Sequence, residues 1–529
     1  MIKKINDNTT DKLELAKNYF ILGMENLEKN SYAEAEKYFY KSLELIPERL
    51  STLINLSAVL IKLEKINLAN NIITKAIQLY PNDEALYINL GKVYEKNKNW
   101  YQAFVSYKKS SEINPNYAEA YSNQGAALCE LERFEEALVS CNKAILLNNK
   151  FSEAYYNRGV VLKMLGRIEE SLASFDAAIQ INDKYYQAYS NRGIVLHELN
   201  KIDEAILSYE KAIEYKYDYA DAHWNKSLSL LIKGDLKMGF EAYEYGWNAE
   251  SKPRGKKRSF MQPLWKGNYP IVNKKILVYC EQGLGDTLQF CRYIKNLKEM
   301  GAWVILEAPK SLIGLLKTLD GVDEIIQQGE ELTTFDYHCP LMTLPYAFKT
   351  NLTNIPSTTP YLKHDKIKIN EWVQKLGNKQ KMRIGMVWSG NINHGNDKNR
   401  SIILKKILPY LSDKHEYISM QKEVRDEDRL ILESSDIREF SSEINDFSDT
   451  AAICELMDLI ISVDTSIVHL AGAMGKKCWV LLPYAPDWRW MLDTGQSPWY
   501  PSLRLYRQKN KGVWDDVLRQ VSTELHVLN

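Results

Sequence analysis

The chain has 529 residues, 45% hydrophobic and 26% charged, a balance that excludes a disordered or fibrous protein and, at roughly 150 residues per domain, predicts three to four packed units. Lys+Arg and Asp+Glu both number 68, so the formal charge is zero and there is no global electrostatic footprint for nucleic acid. Seven widely spaced cysteines without a Cys-x-x-Cys pair argue for reduced thiols and against a zinc knuckle or a disulfide framework. Residues 1–8 are polar where a signal peptide is apolar, and no apolar run is long enough to cross a membrane. The expected compartment is therefore the cytoplasm, with no transmembrane segment.

A period of 34 residues runs through the first half. Pro47, Pro81 and Pro115 stand 34 apart, and small residues keep that spacing at Gly23, Ser57, Gly91, Gly125, Gly159, Gly193 and Ser227, and again at Ala35, Ala69, Ala103, Ala137, Ser171 and Ala205. Tyr19, Tyr87, Tyr121, Tyr155 and Tyr189 lie four residues before the first small series, one turn away on the same helix face. The pattern resembles the tetratricopeptide repeat, in which small residues let two antiparallel helices approach, the aromatic fills the gap and proline ends the second helix. One such pair cannot bury its own apolar face, so pairs stack into an α solenoid with a concave inner surface. The resemblance covers about residues 11–218, with an atypical seventh pair to 249 that is weakened by Gly234 and Gly239.

Asn55, Asn89, Asn123, Asn157, Asn191 and Asn225 share the register, toward the concave side. Helix propensity does not explain asparagine recurring at one repeat position. A carboxamide both donates and accepts, so the column suits the backbone of an extended acceptor polypeptide, and similar ladders grip polypeptides in the protein O-GlcNAc transferases. The other reading is that each amide bonds a neighbouring helix.

Composition changes after Trp247. Lys252, Arg254, Lys256, Lys257 and Arg258, with Pro253 and Gly255 among them, read as a solvated basic loop in a linker over 250–273. From Lys274, short apolar runs alternate with helical segments, which predicts parallel sheets flanked by helices. Strands are expected at 276–280, 303–307 and 324–327 and, after a polar stretch around 363–381, at 383–388, 417–420, 459–463 and 478–482. Helices are expected at 286–300, 312–319, 404–411, 451–457 and 466–474. These elements make two doubly wound units, 274–380 and 381–529, with a cleft at the carboxyl ends of their strands.

The first strand leads into Gly283-Leu284-Gly285-Asp286. As half of a dinucleotide fingerprint, with Glu307 for a ribose, this is weak: Leu288 holds the third glycine position, and Asp286 puts a carboxylate where a pyrophosphate needs a positive helix end. Alternatively, Gly283 and Gly285 let a substrate approach closely while Asp286 acts as a general base, or Asp286 only caps its helix. In the second unit, Asp464-Thr465-Ser466-Ile467 passes from a buried strand to a helix start. There the backbone N–H groups, the Thr465 and Ser466 hydroxyls and the helix dipole favour a phosphate. His469, one turn on, is either a further donor or a core histidine, and Asp464 is expected to cap backbone N–H groups. Ser389 and Asn391 follow another strand, Lys398 and Arg400 supply cations near a diphosphate, and Gln421 and Lys422 are placed for a base or ribose. Asp487 and Trp488 lie in a rigid aromatic loop, 483–490, that stacks on a ligand or plugs the interface.

Gly-Leu-Gly-Asp at 283–286, Val-Trp-Ser-Gly-Asn at 387–391, Asp-Lys-Asn-Arg-Ser at 397–401, Val-Asp-Thr-Ser-Ile-Val-His-Leu-Ala-Gly at 463–472 and Pro-Asp-Trp-Arg-Trp at 486–490 follow in order. Together they resemble the bacterial tetratricopeptide-repeat glycosyltransferases, whose catalytic half is similar to the ADP-heptose:lipopolysaccharide heptosyltransferases (glycosyltransferase family 9). The resemblance implies an α/β GT-B fold, with two Rossmann-like domains facing a cleft, behind a repeat solenoid over 1–249. It further implies an inverting, metal-independent mechanism, no cofactor, and a nucleotide-sugar co-substrate held mainly by 381–529, with 274–380 on the acceptor side. The family's catalytic aspartate falls on Asp286, its donor-binding segment on Asp464, Thr465, Ser466 and Ile467, and its phosphate lysine most nearly on Lys398. Ser466 stands where the family has glycine, and Arg400 competes with Lys398; both leave the donor open. Asp426 and Asp428, the only Asp-x-Asp, read as a solvated helix face.

The expectation is a glycosyltransferase acting on Ser or Thr of a polypeptide recruited by the repeats. The alternatives are a glycolipid or polysaccharide acceptor, or a non-catalytic adaptor with a vestigial sugar-nucleotide half.

Overall fold

The computed structural model describes residues 2–528, with side chains from residue 11; the side chains of the polar opening segment 1–8 lie outside the described residues. The chain divides into two compact units, Met1–Val195 and Leu196–Asn529. Among the described residues no helix is long and apolar enough to cross a membrane.

In the first unit, successive helices pack on one another from Ile2–Glu28 and Tyr32–Leu45 through Ile168–Ile181. The small residues do what the spacing predicts: Ala35, Ala69, Ala103 and Ala137 have no exposed surface. The tyrosines assigned to the gap do not fill it; Tyr19, Tyr87, Tyr121 and Tyr155 are half-exposed. The residues over the small series come from the following helix, at Phe39, Ile73, Tyr107, Cys141 and Phe175, again 34 apart and all fully buried. This column mixes ring, aliphatic and thiol, so it carries no single-residue signature.

A Cβ on Gly91 would lie 2.3 Å from the Tyr107 ring. Alanine normally improves a helix interior by about 1 kcal/mol over glycine. The buried ring has nowhere to retreat, however, and overpacking costs about 1–3 kcal/mol. Gly91→Ala is therefore expected to lower the melting temperature followed by circular dichroism; an unchanged or raised value would show that the ring yields.

The second unit opens with helices Ile202–Tyr215, Ala220–Lys233 and Leu236–Tyr243 and a short turn Glu244–Trp247. Two parallel sheets follow. The first contains β1 (Lys275–Tyr279), β2 (Trp303–Ala308), β3 (Glu324–Gln327) and β4 (Tyr337–Pro340), in the order β3-β2-β1-β4. The second contains β5 (Arg383–Val387), β6 (Glu416–Ser419), β7 (Leu459–Val463), β8 (Cys478–Leu482) and β9 (Leu503–Arg507), in the order β6-β5-β7-β8-β9. β5, β7 and β8 are buried along their whole length, as strands covered on both faces must be.

The sequence places the first boundary at 249, whereas the compact unit begins at residue 196. The reason is packing: the Phe240 ring meets Phe290, Trp488 and Trp499 edge-on at 6.3, 5.6 and 6.4 Å, and Ile202, Leu231 and Tyr243 share one core with β1, β2 and β8.

The linker also differs from a solvated basic loop. Lys252, Lys256 and Lys257 are exposed, but Arg254 is wholly buried, donating to Glu244 at 2.5 Å, Glu281 at 2.6 Å and the Thr343 hydroxyl at 3.0 Å. Arg258 pairs with Glu307, which commits the carboxylate considered for a ribose. Asp428, read as solvated, is buried as well. It accepts from the Trp388 indole at 2.9 Å and from the Leu404 N–H at 2.8 Å.

Candidate functional site

The sequence motifs gather at the carboxyl ends of the two sheets, where parallel α/β folds carry their ligands. After β1 the chain turns at Gly283 into the helix Leu284–Phe290. Asp286 caps it, with Oδ2 accepting from the Gly283 N–H at 2.9 Å. Its other oxygen accepts from Arg489, in the short turn Trp488–Trp490 after β8. Arg489 also donates to Asp487 at 2.8 Å and to Gln289 at 2.8 Å. Burial pushes the Asp286 carboxyl up, Arg489 draws it down and Asp487 pushes it up again, leaving it above the ordinary range.

After β7, Asp464 and Thr465 lead into the helix Ser466–Ala473. This helix and the one bearing Asp286 meet closely: a Cβ on Gly285 would lie 2.9 Å from the His469 ring and 3.6 Å from the Ser466 Cα. The glycine at 285 thus makes room for a neighbouring helix rather than for a substrate. His469 is buried, shares a hydrogen bond with the Tyr500 hydroxyl at 3.1 Å and stacks on Trp490 at 5.4 Å. Burial and the charges of Arg489 and Arg292 hold it neutral. Its ring packs as a core histidine, with Nδ1 taken by Tyr500.

Thr465 shares a hydrogen bond with the Ser462 hydroxyl at 3.2 Å, Ser466 stays half-exposed at the helix start, and Ile467 is buried. The helix start carries no side-chain cap, so Asp464 does not cap as expected. Its carboxyl is pushed up to about 6 by burial, with Asp487 adding to the shift and Arg400 and Arg489 opposing it. An acid whose folded pKa exceeds its unfolded value binds a proton on folding. Stability therefore falls as pH rises from the unfolded pKa of about 4 to about 6. Asp464→Asn is expected to raise the melting temperature near neutral pH, with the gain vanishing toward about pH 4. A gain of equal size at both ends would exclude charge burial as its cause.

Of the two candidate phosphate cations, Lys398 is exposed, whereas Arg400 reaches the helix start and donates to the Asp464 carbonyl at 2.8 Å. Its Nε is buried with no hydrogen-bond partner among the described residues, and Asp397 stands 4.0 Å from it. Gln421 is consumed internally: its oxygen accepts from the Trp388 and Ser389 N–H groups at 3.0 and 3.1 Å, and its nitrogen donates to the Ser389 hydroxyl at 2.9 Å. Lys422 is tied to the Ser441 and Ile444 carbonyls, and Asn391, exposed, accepts from the Asn393 N–H. Trp488 and Trp490 are buried, so the aromatic loop plugs rather than offers a stacking platform. Beside it a cavity of about 310 Å³ is lined by Asn396, Asn399, Tyr484, Pro486, Gln508 and Lys511, among others.

The fold therefore brings together Asp286, Asp464, Asp487, Arg400 and the start of the helix Ser466–Ala473, and leaves Lys398, Asn391, Gln421 and Lys422 outside that group. Sequence reasoning passed over Arg489, although its position between Trp488 and Trp490 lies within the quoted Pro-Asp-Trp-Arg-Trp motif.

In the asparagine ladder, Asn89 donates to the Ile54 carbonyl at 3.0 Å, Asn157 to the Ser122 carbonyl at 3.2 Å and Asn191 to the Tyr156 hydroxyl at 3.2 Å, each one repeat back. Asn55 bonds within its own helix to the Ser51 carbonyl, and the Asn123 amide nitrogen is buried with no hydrogen-bond partner among the described residues. Asn225 is half-buried, with no side-chain hydrogen bond described. The helix-to-helix reading thus accounts for the amide nitrogens of Asn89, Asn157 and Asn191.

Models of the tetratricopeptide repeat match residues 16–49, 85–117, 106–139 and 152–185, and a TPR repeat model matches residues 193–230. "Protein FlbA" of Caulobacter vibrioides is 25% identical over 333 residues, which cover 56% of this chain and 53% of that protein. The chain thus spans about half the length of that relative. Among solved structures, a thermophilic TPR protein of Thermus thermophilus is 21% identical at a TM-score of 0.32, covering 34% of this chain and 98% of its own. A tetratricopeptide repeat protein of Parabacteroides merdae is 18% identical at a TM-score of 0.37, covering 45% and 96%. The N-terminal half of the chain is a run of tetratricopeptide repeats.

Proposed function

We propose that this chain is a glycosyltransferase that moves a sugar from a nucleotide-sugar donor to Ser or Thr of a polypeptide recruited by its repeats. The observation that carries the reading is the meeting, across the carboxyl ends of two parallel sheets, of an acid at one helix start and a half-exposed helix start with Arg400 beside it. In this reading Asp286 takes the hydroxyl proton as the oxygen attacks the anomeric carbon. The departing phosphate is stabilised by the N–H groups of Ser466 and Ile467 and by Arg400, fixed charges that need no reorganisation. The GT-B assignment, inversion and metal independence come from the motif resemblance. A cavity of about 310 Å³ beside the loop after β8 is large enough for a sugar or a base.

The adaptor reading keeps one observation in its favour: both oxygens of Asp286 are already engaged within the protein. The two readings separate on purified full-length chain offered UDP-, ADP-, GDP- and CMP-sugars. An enzyme is stabilised by one donor class, because a ligand that binds only the native state raises the melting temperature, and it releases nucleotide. No shift and no release with any of them would leave the adaptor.

A further inference from the structure

We propose that Arg489 is a positioning residue for Asp286, reaching from the loop after β8 to hold that carboxylate in one direction and in its charged form. The inference rests on the reading of Asp286 as the base. Arg489 donates to three side chains: Asp286, Asp487 at 2.8 Å and Gln289 at 2.8 Å. Asp286 and Gln289 stand three residues apart, on one face of their helix, so the flat guanidinium spans a single turn. The Trp488 ring lies 4.3 Å from the guanidinium carbon, and Phe290 lies on the same group at 5.8 Å. Three acceptors and two rings leave the fork one orientation, and Asp286 inherits it.

The charge argument is separate. Asp487, on the loop after β8, and Glu281, on the loop after β1, bring further negative charge toward Asp286. Tyr243, from the preceding helices, and His394, from the loop after β5, also sense Asp286; burial keeps the phenol protonated, and partial desolvation with the charge of Arg400 holds the exposed imidazole below its ordinary range. Neighbouring His469 is held neutral too. Arg254 is taken up by Glu281 and Glu244. Among the described residues Arg489 is thus the cation that pairs with Asp286. Without it a part-buried carboxylate among other carboxylates takes up a proton and ceases to be a base.

The test is the pH profile of nucleotide release by the full chain, using whichever of UDP-, ADP-, GDP- or CMP-sugar the wild type turns over. Arg489→Met is expected to lower kcat about 100-fold at neutral pH. It should also move the acid limb of kcat/KM upward by about one pH unit or more, with donor KM changed less than about threefold. Arg489→Lys keeps the charge and is expected to hold the limb at its wild-type position with a smaller loss. Should Arg489→Met not fold, Arg489→Gln takes its place with the same expected displacement. A uniform loss in the neutral variant with an unmoved limb would overturn the inference alone. Absence of turnover by the wild type with every donor would remove the reading of Asp286 as a base, and the inference with it.

Discussion

Asp286→Asn is expected to lower sugar transfer by about 10²–10⁴-fold while donor affinity, read by thermal shift, changes by less than about threefold. Asparagine keeps the volume of the side chain and can still accept from the Gly283 N–H, so the helix start that Asp286 caps is retained. What it loses is the capacity to take a proton. Arg489 keeps Asp487 and Gln289 as acceptors in the variant, so its side chain is not orphaned. Nucleotide release from the donor that stabilises the wild type is the measurement. Full activity in Asp286→Asn would refute the base assignment, whereas lost activity together with lost donor stabilisation would assign Asp286 to binding instead.

Arg254→Ala is expected to destabilise the second unit by about 3–5 kcal/mol, because it leaves buried carboxylates without their counter-ion. Burial opposes the charge of Arg254, and Glu281 and Glu244 more than offset it, so its pKa is raised. Glu281 has little else: among the described residues its other hydrogen-bond donor is the Met342 N–H, at 3.3 and 3.5 Å from its two oxygens, and burial already pushes its carboxyl up. Glu244 keeps Lys266 at 2.9 Å and is less exposed to the loss. A melting transition lowered by roughly 6 °C or more is the expected reading. Combining Arg254→Met with Glu281→Gln should recover part of it, since removing an ion pair whole costs less than removing half. A single substitution without effect would show that water reaches the pair. Glu281 lies two residues before Gly283, so this buried pair also anchors the start of the loop that carries Asp286.

Most strands of the two sheets were legible because a strand buried on both faces must be a short apolar run, and β5, β7 and β8 are such runs. The two strands that the reading missed are β4 and β9, both at sheet edges. β4 reads Tyr-His-Cys-Pro, closed by a proline, and β9 alternates Leu-Arg-Leu-Tyr-Arg. On its outer side each meets only an isolated bridge, Leu264 with His338 and Gln496 with Arg504, so it tolerates proline and charge and loses the apolar signature. The helix Lys366–Leu376 hid in a polar stretch for a related reason, since only Trp372 and Leu376 of its eleven residues are buried. The helix expected over 286–300 is interrupted by a short turn at Cys291–Tyr293.

Within the candidate site, residue type was legible and partnership was not. Asp286, Asp464 and Asp487 stand out as acids at strand ends, yet which cation meets each depends on loops that are 203 residues apart in the case of Arg489 and Asp286. Arg400 and Lys398 are equivalent in a sequence; in the fold one reaches the Asp464 carbonyl and the other stays in solvent. His469 read equally as a further donor or a core histidine, and only the fold shows its ring packed between Trp490 and Gly285.

Periodicity alone determined that the first half is built of 34-residue helical repeats and the second of parallel sheets, because these patterns are local consequences of helix and strand geometry. Only the tertiary structure decided that residues from 196 onward pack with the sheets, that Arg254 and Asp428 are buried, and that Asp286 is held by Arg489. Burial and ion pairing depend on what the rest of the chain brings alongside a residue, and no local spacing carries that information.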